Sequence, residues 1–267
     1  MKSYRRAAVA STFSPTHQAV LVEAMHFARI VGAPLEVLHA ARQCEQLEQR
    51  FGESFSRLGG KLPIHWLPGP SPADALLDCV RAEGFDLLIA GALGREPAAE
   101  KRVFTGSVAR RFLAEAPCDV LLLPYPSESP PEIQCAVFAV EPGGDISECA
   151  QGLSSVLGLR RLVLLVSENP FAAAIAASRG EAAIDCSSWA EKMAAAIESP
   201  ELKVEIHVVN SNTGFGLCEA ALGVGADLMV VKGFEKDGRT VLSAHLDWVR
   251  QVIPTRFLLC GRGGSAS

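Results

Sequence analysis

Short apolar runs alternate with helix-spaced segments along this chain, and that alternation restricts the fold more than any single motif does. Ala7 to Ser11 is a strand candidate, and Ser14-Pro15 offers a cap and first residue to the amphipathic segment ending near Gly32. Leu35 to Ala40 is a second strand, after which Leu47, Phe51, Phe55 and Leu58 recur at helical spacing as core residues. Leu62 to Leu67 reads as a third strand, Ser71-Pro72 caps another helix, Asp86 to Ala90 is a fourth strand, Ser107 to Ala116 a fourth helix and Val120 to Leu123 a fifth strand. Strands that alternate with helices imply a parallel sheet covered on both faces.

Pro124-Tyr-Pro-Ser-Glu-Ser-Pro-Pro131 then interrupts the pattern, because prolines at this density deny both a helix and a central strand. Beyond it the order begins again: Cys135 to Val140 as strand, Cys149, Leu153 and Val156 on one helical face, and Arg161 to Val166 as strand. Lys203 to Val209, Asp227 to Val231 and Phe257 to Cys260 are further strands, with helices over Gly216 to Leu222 and Leu242 to Val252. Residues 168–199 carry little pattern beyond a helix from about Ser187. The clearest internal echo pairs Glu83-Gly-Phe-Asp86-Leu-Leu-Ile-Ala-Gly91 with Gly225-Ala-Asp227-Leu-Met-Val-Val-Lys-Gly233. The expected fold class is α/β, open and doubly wound, with two tandem five-stranded parallel-sheet domains over 1–126 and 133–267 and a linker at 127–132.

The 267 residues, 49% hydrophobic and 21% charged, suffice for packed cores and lack the signature of disorder. No apolar run reaches membrane-spanning length, and the apolar stretch before Ser11 is too brief for a secretory signal, so a cytoplasmic protein without membrane association is expected. Charge divides unevenly: residues 1–130 net 0 and residues 131–267 net −5. An acidic second half argues against extended nucleic acid, which requires a basic face. The eight cysteines lack a Cys-x-x-Cys pair and read as reduced core residues, and the six dispersed histidines give no metal site. His39 and His207 fall inside strands, where packing or hydrogen bonding is the expected role.

Chemistry concentrates after the fourth strand. Gly91 and Gly94 follow the apolar run Leu87-Leu-Ile-Ala90, eleven residues intervene, and Gly106-Ser107 opens a helix. Glycines let the backbone turn sharply behind a strand, and unpaired N–H groups at a helix start can hold an anion. The pattern suits a phosphate cradle, with a long loop capped by Gly-Ser as the plain alternative. Lys101, Arg102, Arg110 and Arg111 bracket the Gly106-Ser107 step. Since Arg110 and Arg111 point in directions about 100° apart on a helix, at most one faces the cradle.

With Leu38-His39-Ala40, Gly69-x-Ser-Pro72 and Ala116-Pro-Cys-Asp-Val120, these residues make the chain resemble a tandem universal stress protein over nearly its whole length. The resemblance implies an adenine nucleotide alpha hydrolase-like fold and an adenine nucleotide, ATP or a relative, with or without Mg2+. Ala10, Thr12 and Ala40 would border the adenosine, and Gly91, Gly94, Gly106, Ser107 and Val108 would hold the phosphates, helped by Lys101, Arg102 or Arg110. Two departures stand out. The loop between the second and third glycines is two residues longer than the family's, and Thr12 occupies the place of a nucleotide-contacting Asp, offering a hydroxyl without charge. In the second copy Lys232 takes the first glycine's place or shifts it to Gly233, no Gly-Ser step follows, and His245 and Asp247 stand where small residues are needed. That copy is expected to be degenerate.

The resemblance thus implies a stress-response regulator whose nucleotide orders the loop from Arg95 to Thr105 and alters a surface read by a protein partner. Its alternative is a nucleotide-free protein-interaction module. Enzymatic signatures are absent from the sequence, leaving a slow ATPase at most. An intramolecular pseudo-dimer is expected, the last strands of the two copies facing each other, and a homodimer of chains is open.

Overall fold

The computed structural model describes residues 4–92, 103–143, 145–168, 178–179, 185–197, 199–210, 215–236, 239–241 and 252–261. In the first half the elements run β1 (Ala7–Ala10), α1 (His17–Ile30), β2 (Leu35–His39), α2 (Glu45–Leu58), β3 (Ile64–Trp66), α3 (Pro72–Glu83), β4 (Leu87–Gly91), β5 (Val103–Phe104), α4 (Ser107–Glu115) and β6 (Asp119–Leu123). The second half gives β7 (Cys135–Val140), α5 (Ser147–Leu157), β8 (Arg161–Glu168), α6 (Cys186–Ile197), β9 (Lys203–Asn210), α7 (Phe215–Gly223), β10 (Leu228–Lys232), β11 (Phe234–Lys236), β12 (Arg239–Val241), β13 (Val252–Ile253) and β14 (Arg256–Cys260).

One ten-stranded sheet, ordered β3-β2-β1-β4-β6-β14-β10-β7-β8-β9, joins the two five-stranded parallel halves. They meet where β14 runs antiparallel to β6, Phe257 opposite Leu122 and Leu259 opposite Val120. Two five-stranded parallel halves with their last strands facing each other were expected; those strands pair, so the halves form one mixed sheet and bury two apolar edges that would otherwise be open. Alternate residues of each strand enter opposite cores. In β4, Leu87 and Ile89 join α1, α2, α5 and α6, whereas Leu88 and Ala90 join α3, α4 and α7.

Local chemistry sets the element ends. The Ser71 hydroxyl accepts the Asp74 N–H and Pro72 follows it into α3, which stops at Gly84 with φ +68°. The first helix starts later than Ser14-Pro15 suggests: those residues form a turn in which the Ser14 carbonyl accepts the His17 N–H, and Thr16 is the N-cap. Residues 242–251 of the expected last helix lie outside the described residues, while Val252 is in β13 and pairs with Phe104 of β5. The β11–β12 hairpin and β5 had no periodic signature, being three residues long or shorter.

The internal echo is a repeated hydrogen-bonding unit. Asp86 accepts the N–H groups of Arg5 and Arg6 at the start of β1, and Asp227 accepts those of Gln134 and Cys135 at the start of β7. Each aspartate lies two residues after a left-handed glycine, Gly84 or Gly225, that ends the preceding helix. Side chains then lock one half to the other. Glu23 of α1 is buried and pairs with Arg256 of β14. Its second oxygen accepts the Ser127 N–H while Arg256 donates to the Pro131 carbonyl, so the proline-rich segment is held at Ser127 and at Pro131. Across the seam, buried Asp119 accepts from the Tyr4 hydroxyl at 2.7 Å and from the Gly261 N–H at 3.2 Å. Burial, and then the Asp119 charge, raise the Tyr4 pKa well above its usual value.

Under the carboxyl ends of β1 and β2 lies a cluster of rings: Phe13, His17, His39, Phe51, Phe55 and Trp66, with Arg50 over Phe13 at 3.9 Å. His17 bridges the hydroxyls of Ser11 and Ser54, each at 3.0 Å, and His39 Nδ1 meets the Ser11 carbonyl at 2.9 Å. Residue 11 is thereby fixed from two sides. Burial lowers the His17 pKa to about 4, outweighing hydrogen bonding to the Thr12 backbone, so the imidazole is neutral at pH 7.

Two stability measurements follow from this packing. Glu23→Ala strands the half of the pair left behind, Arg256, and should cost about 3–5 kcal/mol in urea unfolding, much of it recovered by adding Arg256→Met; a loss below about 1 kcal/mol contradicts the buried pair. Because the His17 pKa falls from its ordinary 6.5 to about 4 on folding, the unfolded chain binds the extra proton between those values. Its contribution is complete above pH 6.5 and is lost as pH falls toward 4, about 2 kcal/mol between pH 7.5 and 5. His17→Gln should flatten that slope, and an unchanged slope would contradict a buried neutral imidazole.

Candidate functional site

Strand order decides where a ligand can sit. β1 lies between β2 and β4, with Ala10 opposite both Leu38 and Ala90, so the chain leaves β1 toward one side of the sheet and β4 toward the other. Connections that diverge leave a crevice at the carboxyl ends of the two strands, where open parallel sheets bind ligands. Ala10 is half-buried at the end of β1, Thr12 is exposed two residues on, Ala40 follows β2, and Gly91 ends β4. These sequence-predicted residues share one end of three neighbouring strands.

The start of α4 is tied to the same edge. The Gly106 N–H donates to the Ala92 carbonyl at 2.9 Å, and the Ala92 N–H donates to Leu123 at 3.0 Å, fixing the helix start just beyond β4. Gly106 is the N-cap and gives no side-chain cap; the first helical bond runs from the Arg110 N–H to the Gly106 carbonyl. The N–H groups of Ser107, Val108 and Ala109 therefore have no acceptor among the described residues, and the Ser107 and Val108 side chains are exposed. Two residues before Ser107, Thr105 is 6% exposed and its hydroxyl has no hydrogen-bond partner among the described residues. A buried hydroxyl in that state costs about 1–3 kcal/mol, and sequence reasoning gave no hint of it because threonine is common before any helix. A Cβ on Gly91 would meet a Val20 methyl at 3.4 Å, an ordinary van der Waals contact.

Of the two adjacent arginines on α4, Arg111 turns away. It pairs with Asp74 at 2.6 Å and with Glu115 at 2.8 Å, bonds that raise its own pKa. Arg110 is exposed and has no ion-pair partner among the described residues. Gly94, Lys101 and Arg102 lie outside the described residues. The donor set, helix-start amides without acceptors among the described residues, fits the phosphate end of a nucleotide. Among the described residues no group of three or more His, Cys, Asp and Glu could hold a metal.

The second half resolves the ambiguity at Lys232. Lys232 stands opposite Cys260 at the end of β10 as Gly91 stands opposite Leu123 at the end of β4. The next amide repeats as well: Gly233 N–H donates to Cys260 as Ala92 N–H donates to Leu123. Lys232 is thus the counterpart of Gly91, and its Nζ donates to the Asp145 carbonyl at 2.7 Å in the loop after β7. A side chain spans the crevice that glycine leaves open in the first half. His245 and Asp247 lie outside the described residues.

Known proteins share both the sequence pattern and the fold. Residues 66–124 match the model of the universal stress protein family. A functionally unknown protein from Pseudomonas aeruginosa is 13% identical and superimposes with a TM-score of 0.66 over 96% of this chain and 92% of that one. A universal stress protein from Archaeoglobus fulgidus, also 13% identical, gives 0.64 over 96% and 98%. A universal stress protein in complex with cAMP aligns at 20% identity over 46% of this chain and 98% of that one, with a TM-score of 0.37. No curated protein matches the sequence. Among the described residues no helix is long and apolar enough to cross a membrane. Residues 66–124, which carry α3, β4, α4 and β6, match the universal stress protein family, and the whole chain has the two-copy fold of these full-length structures.

Proposed function

We propose that the first half, residues 1–126, binds ATP or a related adenine nucleotide, and that the second half, residues 133–267, is a structural partner that binds none. The observation that carries this reading is the start of α4: amides of Ser107, Val108 and Ala109 without acceptors among the described residues, two positions after buried Thr105 and within one residue of the β4 anchor. The positive end of the helix dipole adds to their pull on an anion. Adenine is drawn from the family resemblance, with Ala10, Thr12 and Ala40 at the nucleoside end and Gly91, Gly94, Gly106, Ser107 and Val108 at the phosphates. Lys101, Arg102 and Arg110 are the candidate cations. Binding without a catalytic acid or base among the residues singled out suits a stress-response regulator rather than an enzyme, with its state read by a protein partner.

Thr12 favours a second reading, a nucleotide-free interaction module, because it removes the charge that the family places after the first strand. Isothermal titration with Mg-ATP, ADP and cAMP separates the two. Gly106→Asp is the diagnostic variant: at φ −63° aspartate is unstrained and would cap α4, which lacks a side-chain cap. The cap adds about 0.5–1 kcal/mol of stability, yet its carboxylate occupies the amides meant for phosphate. We expect wild-type binding that falls at least tenfold in Gly106→Asp, with the melting temperature unchanged or raised. No binding by wild type, or equal binding by the variant, overturns the proposal.

A further inference from the structure

Cys149 and Cys260 are far apart in sequence, yet their sulfurs lie 3.3 Å from each other. Cys149 sits in the first turn of α5 and is half-buried; Cys260 ends β14, the seam strand, and is fully buried. A disulfide needs sulfurs about 2.05 Å apart, so closing this pair takes a movement of about 1.3 Å. Such a shift lies within a side-chain adjustment on a helix turn. The next residue, Gly261, is held by Asp119 on the neighbouring strand, and Gly233 is held by the Cys260 carbonyl, so Cys260 is the fixed partner and Cys149 the adjustable one.

We infer that Cys149 and Cys260 form a reversible intramolecular disulfide under peroxide stress, fastening α5 to the strand where the two halves meet. The inference is independent of nucleotide binding. The steps balance with hydrogen peroxide as oxidant. The sulfur of Cys149, the less buried residue of the two, attacks a peroxide oxygen; the O–O bond breaks, leaving a sulfenic acid on Cys149 and releasing water. The Cys260 sulfur then attacks the sulfenic sulfur, the S–O bond breaks and a second water leaves. Two thiols and one peroxide thus give one disulfide and two waters. A thiol reductant, which becomes oxidised in turn, restores the pair.

The cross-link closes a loop of more than a hundred residues, where the constraint on the unfolded chain is large. For a chain of this size the melting temperature should rise by about 5–10 °C on oxidation and return with dithiothreitol. The test uses the full chain with and without hydrogen peroxide, alkylated and digested without reduction by a protease that cleaves after glutamate. Glu148, Glu168 and Glu235 leave Cys149 in residues 149–168 and Cys260 in residues 236–267, each the single cysteine of its peptide. We expect a cross-linked species two hydrogens lighter than the sum of the two peptides, formed in wild type and in Cys44→Ser and absent from Cys149→Ser. Circular dichroism confirms that the Cys149→Ser variant is folded. Oxidation of exposed Cys44 with Cys149 and Cys260 still alkylated, or Cys149 ending as sulfinic acid without the cross-link, overturns the proposal. A melting rise that persists in Cys149→Ser overturns it equally.

Discussion

Strand β1 runs between β2 and β4, and this single placement governs the first half of the molecule. A central parallel strand must be apolar on both faces, as Ala7, Ala8 and Val9 are, so it can offer polar chemistry only past its end. There the chain meets Ser11, held by His17 and His39, and then exposed Thr12. The same ordering brings the end of β4 beside it, and one amide bond from Gly106 to Ala92 delivers the start of α4 to that edge. A crevice between diverging connections, a helix start with spare donors and a rigid floor are consequences of one strand order.

The second half repeats the framework and alters the opening. Asp86 and Asp227 organise the starts of β1 and β7 alike, and Gly91 and Lys232 hold matching register positions. Each aspartate pairs two backbone N–H groups where its strand begins, so the framework bond sets the strand start in both halves. The crevice residue was free to change: a lysine amine replaces a glycine and finds a carbonyl on the other lip. Halves joined by the β6–β14 seam, the Glu23–Arg256 pair and the Asp119 bridge can divide roles, one keeping the opening and the other supporting it.

Periodicity made the main strands and helices legible, since Leu87 to Ala90 or Leu35 to His39 can hardly be other than buried strands. It could not show that the two sheets fuse, because pairing across the seam depends on which edges meet in space. Neither could it reveal β5, β13 or the β11–β12 hairpin, too short to carry a period. The places of Ala10, Thr12, Ala40, Gly91 and Gly106 at strand ends and a helix start were legible because strand ends and glycines mark themselves. Thr105 was not, as its hydroxyl matters only through burial, and the contact of Cys149 with Cys260 has no local trace across so many residues. Lys232 was ambiguous between two registers until its strand partner Cys260 was known.

If one crevice is open and the other spanned by Lys232, the count of nucleotides per chain is the sharpest readout. Native mass spectrometry of the full chain equilibrated with Mg-ATP measures it directly. The account predicts a single added nucleotide on each chain. A spectrum with none at saturating concentration, or with two, would contradict it.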